Sequence, residues 1–276
     1  MAPLQIGVCT WSLAIPNLRE TLDVVKNDLS LRCIQLGFMG GGSDVPVETV
    51  ELVRATGLTV TATAVGFEGE DYSSIARISE TGGYVVDADW DLRREKTMAV
   101  GRVTSQLGVK YLSVHVGFVP HDTADERYTV MCDRVRSICK GLGELGVTLV
   151  METGQETAEN LLAFIDAVGE PNIGINFDPA NMILYGVGEP VEALELLKDH
   201  VVHVHMKDGT WSDAPGEKWG EDVVLGTGQA DIPRVVSKLK AQGYAGPLMI
   251  EREAGDQRVA DIREAVTLLE SLGGQR

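Results

Sequence analysis

VVHVHMKD, residues 201–208, has strand composition, and its polar and apolar side chains alternate. Its first five residues, VVHVH (201–205), form one of four apolar runs in the second half of the chain, each of which ends at a potential metal ligand. The other three are VTLVME (147–152), NIGINFD (172–178) and PLMIE (247–251). Each run is followed by Gly, Pro or helix-forming sequence. We therefore expect the four final side chains at the same end of parallel strands, where α/β folds place their active sites.

The potential ligands are two glutamates, one aspartate and one histidine. They are Glu152, Asp178, His205 and Glu251. Such a set suits a hard or borderline divalent cation, and Mn²⁺, Mg²⁺, Co²⁺ and Zn²⁺ all fit it. The sequence therefore predicts one metal site built from the ends of four strands.

Strand-like and helix-like segments alternate along the whole chain. Strands are expected near 4–10, 31–37, 58–65, 109–116, 147–152, 173–178, 201–206 and 247–251. Eight strand–helix units in 276 residues predict an α/β fold, a single (β/α)₈ TIM barrel, which typically takes ~250 residues. We expect one domain over residues 1–276. The connections 66–89 and 208–231 are longer than needed, so both are candidates for loops that cover the substrate.

Strand alternation also orients the side chains of this barrel. In 201–208 it directs His203, His205 and Lys207 toward the barrel axis. Val202, Val204 and Met206 point the other way, toward the helices. His205 is nearer the carboxyl end and should reach the metal, whereas His203 lies one layer deeper and is expected to be structural. By the same alternation His115 should point inward near the barrel mouth.

Composition restricts the classes of partner. The formal net charge is −17 and no Lys/Arg stripe is present, which argues against nucleic acid and an anionic membrane surface. A small neutral or weakly anionic substrate is compatible with this charge. The opening MAPLQIGVCTW lacks the features of a secretory signal, and no run of 18 apolar residues occurs, so the cytoplasm is the default expectation. Cys132 and Cys139 are expected to pack in the core rather than to form a disulfide.

Five motifs resemble one known family. METG (151–154), NFDPAN (176–181), HVHMKDG (203–209), GTGQADI (226–232) and LMIEREAG (248–255) resemble the xylose isomerase-like TIM barrel superfamily. That superfamily includes ketose 3-epimerases, hydroxypyruvate isomerases, inosose isomerases and dehydratases, and endonuclease IV. The resemblance covers essentially the whole chain and implies one divalent metal ion, with Mn²⁺ favoured, on the four ligands already selected. It implies no further cofactor.

The resemblance also implies a mechanism. A divalent ion chelated by a carbonyl oxygen and the adjacent hydroxyl oxygen would polarise the carbonyl and stabilise an enediolate. Glu152 and Glu251 would remove a proton from one face of the substrate and return one to the other. The leading expectation is a sugar isomerase or epimerase that acts on a keto-sugar or a related polyol ketone.

Four further side chains are candidates for substrate binding: Trp11, His115, Asn181 and Lys207. Each also has a structural alternative, since Trp11 could pack the barrel mouth, His115 could be a core histidine, and Asn181 could cap a helix. Asn181 stands near the place where sugar 3-epimerases often carry a histidine. Lys207 could bind a hydroxyl, carboxylate or phosphate, polarise a carbonyl, or form a structural ion pair. Because no GK[ST] follows GTGQAD, we expect a turn there rather than a phosphate loop.

Three alternatives stay open at the level of function. A lyase of the inosose dehydratase or keto-glycoside type would begin with the same proton abstraction and then expel an oxygen. An endonuclease IV-like hydrolase is disfavoured because the chain has only 5 histidines for a three-zinc cluster and is acidic. A non-catalytic sugar-binding barrel is disfavoured because all four ligands are present. A homo-oligomer is possible, but the sequence identifies no interface.

Overall fold

Eight parallel strands form a closed barrel in a computed structural model that describes residues 4–40 and 48–276. The barrel strands are β1 (Leu4–Cys9), β2 (Cys33–Phe38), β3 (Thr59–Val65), β4 (Tyr111–Val114), β5 (Thr148–Glu152), β6 (Ile173–Phe177), β7 (Val201–Met206) and β10 (Leu248–Ile250). Each strand pairs with the next in chain order, and β10 pairs with β1 to close the barrel. The predicted (β/α)₈ fold is confirmed, and every predicted strand is present within a few residues of its expected ends.

Helices connect the strands. They are α1 (Leu18–Asp23), α2 (Glu48–Thr56), α3 (Ile75–Thr81), α4 (Trp90–Gln106), α5 (Glu126–Glu144), α6 (Ala158–Val168), α7 (Pro179–Leu184), α8 (Pro190–Leu197), α9 (Ile232–Ala241) and α10 (Arg258–Ser271). Local sequence sets their ends, as α6 illustrates. The Thr157 side chain accepts the Asn160 N–H at its start, and Gly169 ends it in the left-handed region at φ 68°.

Three short strands lie outside the barrel. β8 (Asp208–Thr210) and β9 (Glu221–Val223) form an antiparallel pair, and β11 (Gly274–Gln275) pairs with β1. The β8–β9 pair belongs to the long connection 208–231 that the sequence singles out. It follows β7 directly and therefore lies at the carboxyl end of the barrel, where the candidate site is expected.

The main core lies between the barrel strands and the helices. Leu149, Ile175 and Val204 point outward into it and are fully buried. Alternate residues fill the barrel interior, where Met249 packs in the space beside Gly7. A Cβ on Gly7 would come within 2.7 Å of the Met249 side chain and of the Cys33 carbonyl, so glycine is required there. This alternation is the one predicted from the strand period of two.

Two predictions about segments outside the site can be checked directly. Cys132 and Cys139 lie on α5 as buried free thiols, which agrees with core packing. Among residues 4–40 and 48–276, no helix is long and apolar enough to cross a membrane.

Both long connections are anchored by buried polar side chains. Arg93 on α4 donates hydrogen bonds to the carbonyls of Thr81 and Gly83 in the connection 66–89. In the connection 208–231, Asp208 accepts backbone N–H groups. The two connections also meet each other, because Trp219 Nε1 donates to the Tyr72 carbonyl at 3.0 Å.

Candidate metal centre and substrate cavity

The four predicted metal ligands come together at the carboxyl end of the barrel. Glu152 ends β5, Asp178 follows β6, His205 lies in β7 and Glu251 follows β10. Each offers one ligand atom, and these atoms all lie within 4.8 Å of one another. The convergence follows from the topology, because the ends of neighbouring parallel strands share one edge of the barrel.

His205 Nδ1 faces the three carboxylates. It lies 3.1 Å from Glu152 Oε1, 3.4 Å from Glu251 Oε2 and 3.7 Å from Asp178 Oδ2. The histidine is fully buried. One ring nitrogen and three carboxylates thus surround a single small volume.

The other nitrogen of His205 is held by residues that the sequence did not identify. Nε2 lies 2.6 Å from Gln35 Oε1, 3.0 Å from Asn176 Nδ2 and 3.6 Å from Cys9 Sγ. The contact to Gln35 Oε1 suits an Nε2–H donor, because an amide oxygen can only accept, whereas Asn176 Nδ2, an amide donor, lies against the same nitrogen. Burial acts to lower the pKa of His205, but Cys9 and the carboxylates of Glu251 and Glu152 outweigh it and raise that pKa well above its ordinary value. Nδ1 therefore offers a lone pair to a metal only after it gives up its proton.

Asp178 divides its two oxygens between helix capping and the cluster. Oδ1 accepts the N–H groups of Ala180 and Asn181 at 2.8 and 3.1 Å, which caps α7. Oδ2 is buried and has no hydrogen-bond partner among the residues that the structure describes. Buried polar atoms nearly always have a hydrogen-bond partner. A carboxylate oxygen that has none and that faces three other potential metal ligands therefore fits a divalent cation.

Glu251 is fixed at both oxygens. Trp11 Nε1 donates to Oε1 at 2.8 Å, and Lys207 Nζ donates to Oε2 at 3.0 Å. Lys207 also donates to Asn181 Oδ1 and contacts Glu253. Burial acts to raise the pKa of Glu251, but Lys207 and His205 outweigh it and hold that pKa well below its ordinary value. Glu251 is therefore an anion at neutral pH.

Glu152 uses only one of its oxygens for contacts. Asn181 Nδ2 donates to Oε1 at 3.0 Å, and His115 Nε2 lies 3.5 Å from the same atom. In the described part of the chain Oε2 makes no hydrogen bond. Burial acts to raise the pKa of Glu152, and the neighbouring His115 and His205 lower it overall. Glu152 thus presents an ionised carboxylate with one free oxygen.

A cavity of about 630 Å³ opens above the cluster. Trp11, His115, Asn181 and Lys207, the four candidates for substrate binding, all line it. Their contacts in the protein are with Glu152 and Glu251, so the structure places them beside both candidate catalytic groups. Their roles toward a substrate remain predictions.

The cavity also has walls that the site prediction omitted. They include Phe67, Tyr72, Tyr185, Trp219 and Glu253. Tyr72 and Trp219 belong to the long connections 66–89 and 208–231, so the length of those connections was the available signal. Tyr185 and Glu253 follow α7 and β10 and had no distinguishing signal in the sequence.

His203 lies below the cluster, as the strand alternation predicts. Its Nδ1 lies 3.0 Å from Asn176 Oδ1, and its Nε2 lies 3.1 Å from Thr61 Oγ1. Burial lowers the pKa of His203 well below its usual value. It is a neutral, hydrogen-bonded residue of the barrel interior, in agreement with the expected structural role.

The fold and the cluster define a (β/α)₈ barrel with a candidate metal centre at its carboxyl end. The family model described as Xylose isomerase-like TIM barrel matches residues 31–272, so the chain belongs to this family. A xylose isomerase domain protein from Planctomyces limnophilus has a similar crystal structure. The two chains are 34% identical, and the match covers 91% of each with a TM-score of 0.84.

Other similar proteins include an epimerase and a dehydratase. The crystal structure of 3-keto-D-glucoside 4-epimerase from E. coli is 16% identical, covers 97% of this chain and 99% of its own, and has a TM-score of 0.70, which shows the shared fold. Inosose dehydratase from Clostridium botulinum is 25% identical over 144 residues, which are 47% of this chain and 48% of that protein. The chain spans about half the length of the curated relatives it matches, from 41% to 56%.

Proposed function

We propose that this protein is a divalent-metal-dependent sugar isomerase or epimerase that acts on a keto-sugar or a related polyol ketone. The observation that carries this proposal is the convergence of Glu152 and Glu251 on His205 Nδ1. The two glutamates come from β5 and β10, and β6 and β7 lie between those strands in the barrel. A substrate seated above the cluster therefore has a carboxylate on each of two sides.

Glu152, Asp178, His205 and Glu251 would hold the cation, for which we propose Mn²⁺. The donor set is hard to borderline, and Mg²⁺, Co²⁺ and Zn²⁺ would also fit it. When bound, such an ion acts as a Lewis acid toward a carbonyl oxygen and makes the neighbouring C–H more acidic. His205 would bind the cation as a neutral ligand through Nδ1, with its remaining proton on Nε2 toward Gln35 Oε1.

The two glutamates divide the proton transfer according to their contacts. Glu152 has the free oxygen Oε2 and removes the proton next to the carbonyl. Return of a proton on the other face falls to Glu251, which would take that proton from solvent, while the Lys207 ammonium group 3.0 Å from its Oε2 holds the carboxylate in position. His115 and Asn181 hold Glu152 in place and lie in the cavity wall, where they can also bind substrate hydroxyl groups.

A lyase or dehydratase is the second candidate, and Lys207 is the observation that favours it. Elimination needs an acid that protonates the departing oxygen, and a buried ammonium group beside Glu251 and Glu253 can serve as that acid. Burial acts to lower the pKa of Lys207, but Glu251, Glu253 and Asp178 outweigh it and raise that pKa well above its ordinary value. Lys207 is therefore an ammonium group at neutral pH and would give up its proton only to a strongly basic departing oxygen. The similarity to inosose dehydratase also supports this reading.

The test is proton exchange in D₂O. The Mn²⁺-loaded protein is incubated with a panel of ketoses, inososes and 3-keto-glycosides, and carbon-bound deuterium is followed by NMR. Glu152→Gln and Glu251→Gln should each slow incorporation about 10²–10⁴-fold, because each removes one acid–base group. Glu264→Gln, which changes an exposed glutamate on α10, is the matched control and should exchange at the wild-type rate.

The product distinguishes the two candidate reactions. An isomer or epimer with deuterium at the exchanged carbon supports the isomerase, whereas loss of water or of a glycosidic group supports the lyase. Exchange that continues at the wild-type rate in both glutamine variants would contradict the proposed roles of the glutamates.

A further inference from the structure

The outer wall of the cavity is aromatic, and the proposed proton transfer does not use it. We propose that this wall is a second sugar subsite, which binds an uncharged pyranose ring linked to the reacting keto-sugar. The inference rests on the proposed function and specifies its substrate class as a keto-glycoside. Four aromatic residues form the wall: Phe67, Tyr72, Tyr185 and Trp219.

A chain of ring contacts runs outward from the candidate metal centre. His115 touches Glu152 at 3.5 Å, and its ring centre lies 6.5 Å from that of Tyr185. The Tyr185 ring lies 4.6 Å from the Trp219 ring, and Trp219 Nε1 donates to the Tyr72 carbonyl. Three residues of the aromatic wall, Tyr185, Trp219 and Tyr72, are therefore continuous with the reacting end of the cavity, as a subsite for the next part of one substrate requires.

The size of the cavity also exceeds the needs of one small sugar. A volume of about 630 Å³ has room for about twenty water-sized groups at roughly 30 Å³ each. That is roughly twice the number of non-hydrogen atoms in a single six-carbon sugar, and covalently bonded atoms need still less space. A second ring fits the remaining volume.

The negative charge of the cavity lining favours an uncharged ligand at this wall. Acidic side chains outnumber basic ones in the cavity lining, which includes Glu70, Asp222 and Glu253 in its outer part. Lys207 is the only lysine or arginine among the lining residues that the structure describes, and it is already bound to Glu251 and Glu253. A phosphate or carboxylate would meet repulsion there without a free cation. The C–H faces of a pyranose, by contrast, pack well on aromatic rings.

The wall is preorganised by these same acidic residues. Glu70 accepts the backbone N–H groups of Phe67 and Gly83 at 2.9 and 2.8 Å. Asp222 accepts those of Glu253 and Ala254 at 2.8 and 3.1 Å. Glu70 thus fixes the backbone at Phe67 and Asp222 fixes the segment that carries Glu253, so a ligand does not have to order these parts of the cavity lining when it binds.

The experiment compares two ligands that share the reacting ring. Binding of 3-keto-cellobiose, with the ketone on its non-reducing ring, and of methyl 3-keto-β-glucoside to the Mn²⁺-loaded protein is measured by calorimetry. We expect the disaccharide to bind about tenfold more tightly, consistent with stacking on one or two aromatic rings. Trp219→Ala should remove most of that difference, and Trp219→Phe should restore part of it. Lys218→Ala changes the exposed neighbouring residue and should preserve the full difference.

Several results would overturn the subsite. They are equal affinity for the two ligands, no measurable binding of either, or equal weakening of both by Trp219→Ala. Tighter binding of phenyl 3-keto-β-glucoside than of the disaccharide would assign the wall to an aromatic group instead. Tighter binding of a phosphorylated 3-keto-glucoside would overturn the inference from charge.

Deuterium exchange on the same samples separates this inference from the proposed function. A Trp219-dependent preference for the disaccharide without exchange would support the subsite and contradict the isomerase. Deuterium exchange together with equal binding of the two ligands would support the isomerase and contradict the subsite.

Discussion

Gln35 contacts the nitrogen of His205 that faces away from the candidate metal centre. Its side-chain oxygen lies 2.6 Å from His205 Nε2 and also accepts from the Cys9 thiol at 3.5 Å. Neither residue belongs to the four candidate ligands. A buried amide on β2 thus contacts the nitrogen behind a candidate ligand on β7, which is the usual position of a partner of a metal-binding histidine.

Replacement of Gln35 should therefore weaken metal binding without removal of a ligand. We expect Gln35→Leu to lower the affinity for Mn²⁺ by about 10–100-fold, because His205 loses the acceptor that fixes its tautomer and ring orientation. Titration calorimetry measures the change. Gln5→Leu, on the exposed face of β1, is the control and should bind Mn²⁺ like the wild type. Wild-type affinity in a folded Gln35→Leu protein would show that Gln35 does not orient His205.

Glu156 is a second residue whose neighbours define its chemistry. Oε1 accepts the Val119 N–H at 2.8 Å, and Oε2 lies 3.1 Å from His121 Nε2. Burial raises the pKa of Glu156 from 4.5 to about 8. The carboxyl group is therefore mostly protonated at neutral pH, and it joins the connection after β5 to the one after β4.

This raised pKa makes stability depend on pH with a defined sign. The folded protein holds the Glu156 proton more tightly than the unfolded chain, so this group's contribution is complete below about pH 4.5 and is lost as the pH rises toward about 8. The free energy of unfolding should fall by up to about 5 kcal/mol as the pH passes through that window. Denaturation at several pH values, with Glu156→Gln as the reference, isolates the effect. Identical pH profiles for wild type and Glu156→Gln would contradict it.

At the scale of elements, the connection 208–231 is organised around one buried carboxylate. Asp208 accepts the backbone N–H groups of Gly209, Gly226, Gly228 and Ala230 at 2.9 to 3.0 Å. A Cβ on Gly228 would lie 2.2 Å from Asp208 Oδ1, so only glycine fits there. The GTGQAD turn does bind an anion with its amides, but that anion is the protein's own aspartate, which agrees with the expectation of a turn.

Loss of the Asp208 carboxylate should destabilise the connection 208–231. Asp208→Ala leaves four backbone N–H groups without this acceptor, two of them buried and two partly buried, and we expect a loss of about 3 kcal/mol in the free energy of unfolding. Urea denaturation measures it. Asp213→Ala removes an exposed aspartate of the same connection and should change stability by less than about 0.5 kcal/mol. An equal effect of the two substitutions would show that Asp208 does not organise the connection.

The sequence predicts those parts of the site that depend on strand period and strand end. Each of the four candidate ligands lies at or next to the end of an apolar run. Parallel strands bring such ends together regardless of the length or sequence of the connections between them. Gln35 and the Tyr72–Trp219 contact could not be predicted in this way. They join residues that are 170 and 147 positions apart, respectively, and closure of the barrel and folding of two long connections bring them together.

At the scale of the whole molecule, the candidate metal centre joins half of the barrel strands. Its ligands come from β5, β6, β7 and β10, which are consecutive in the barrel. Three of them are buried carboxylates, and Lys207 is the nearby ammonium group that contacts Glu251 and Asp178. Without a cation, mutual repulsion of these carboxylates opposes closure of this side of the barrel.

Metal binding should therefore stabilise the entire barrel, and its removal should destabilise it. At a free Mn²⁺ concentration about 100 times the dissociation constant, the gain is about 2.7 kcal/mol, provided that the unfolded chain does not bind the ion. For a chain of this size that gain corresponds to a rise in Tm of roughly 5–10 °C, which a chelator should reverse. Asp178→Asn is the informative variant. The oxygen of the asparagine side chain can still accept the N–H groups at the start of α7, but the substitution removes the negative charge that Oδ2 offers to a cation. We expect this variant to lose most of the Mn²⁺-dependent shift, whereas an equal shift in wild type and variant would place the bound ion elsewhere on this acidic protein.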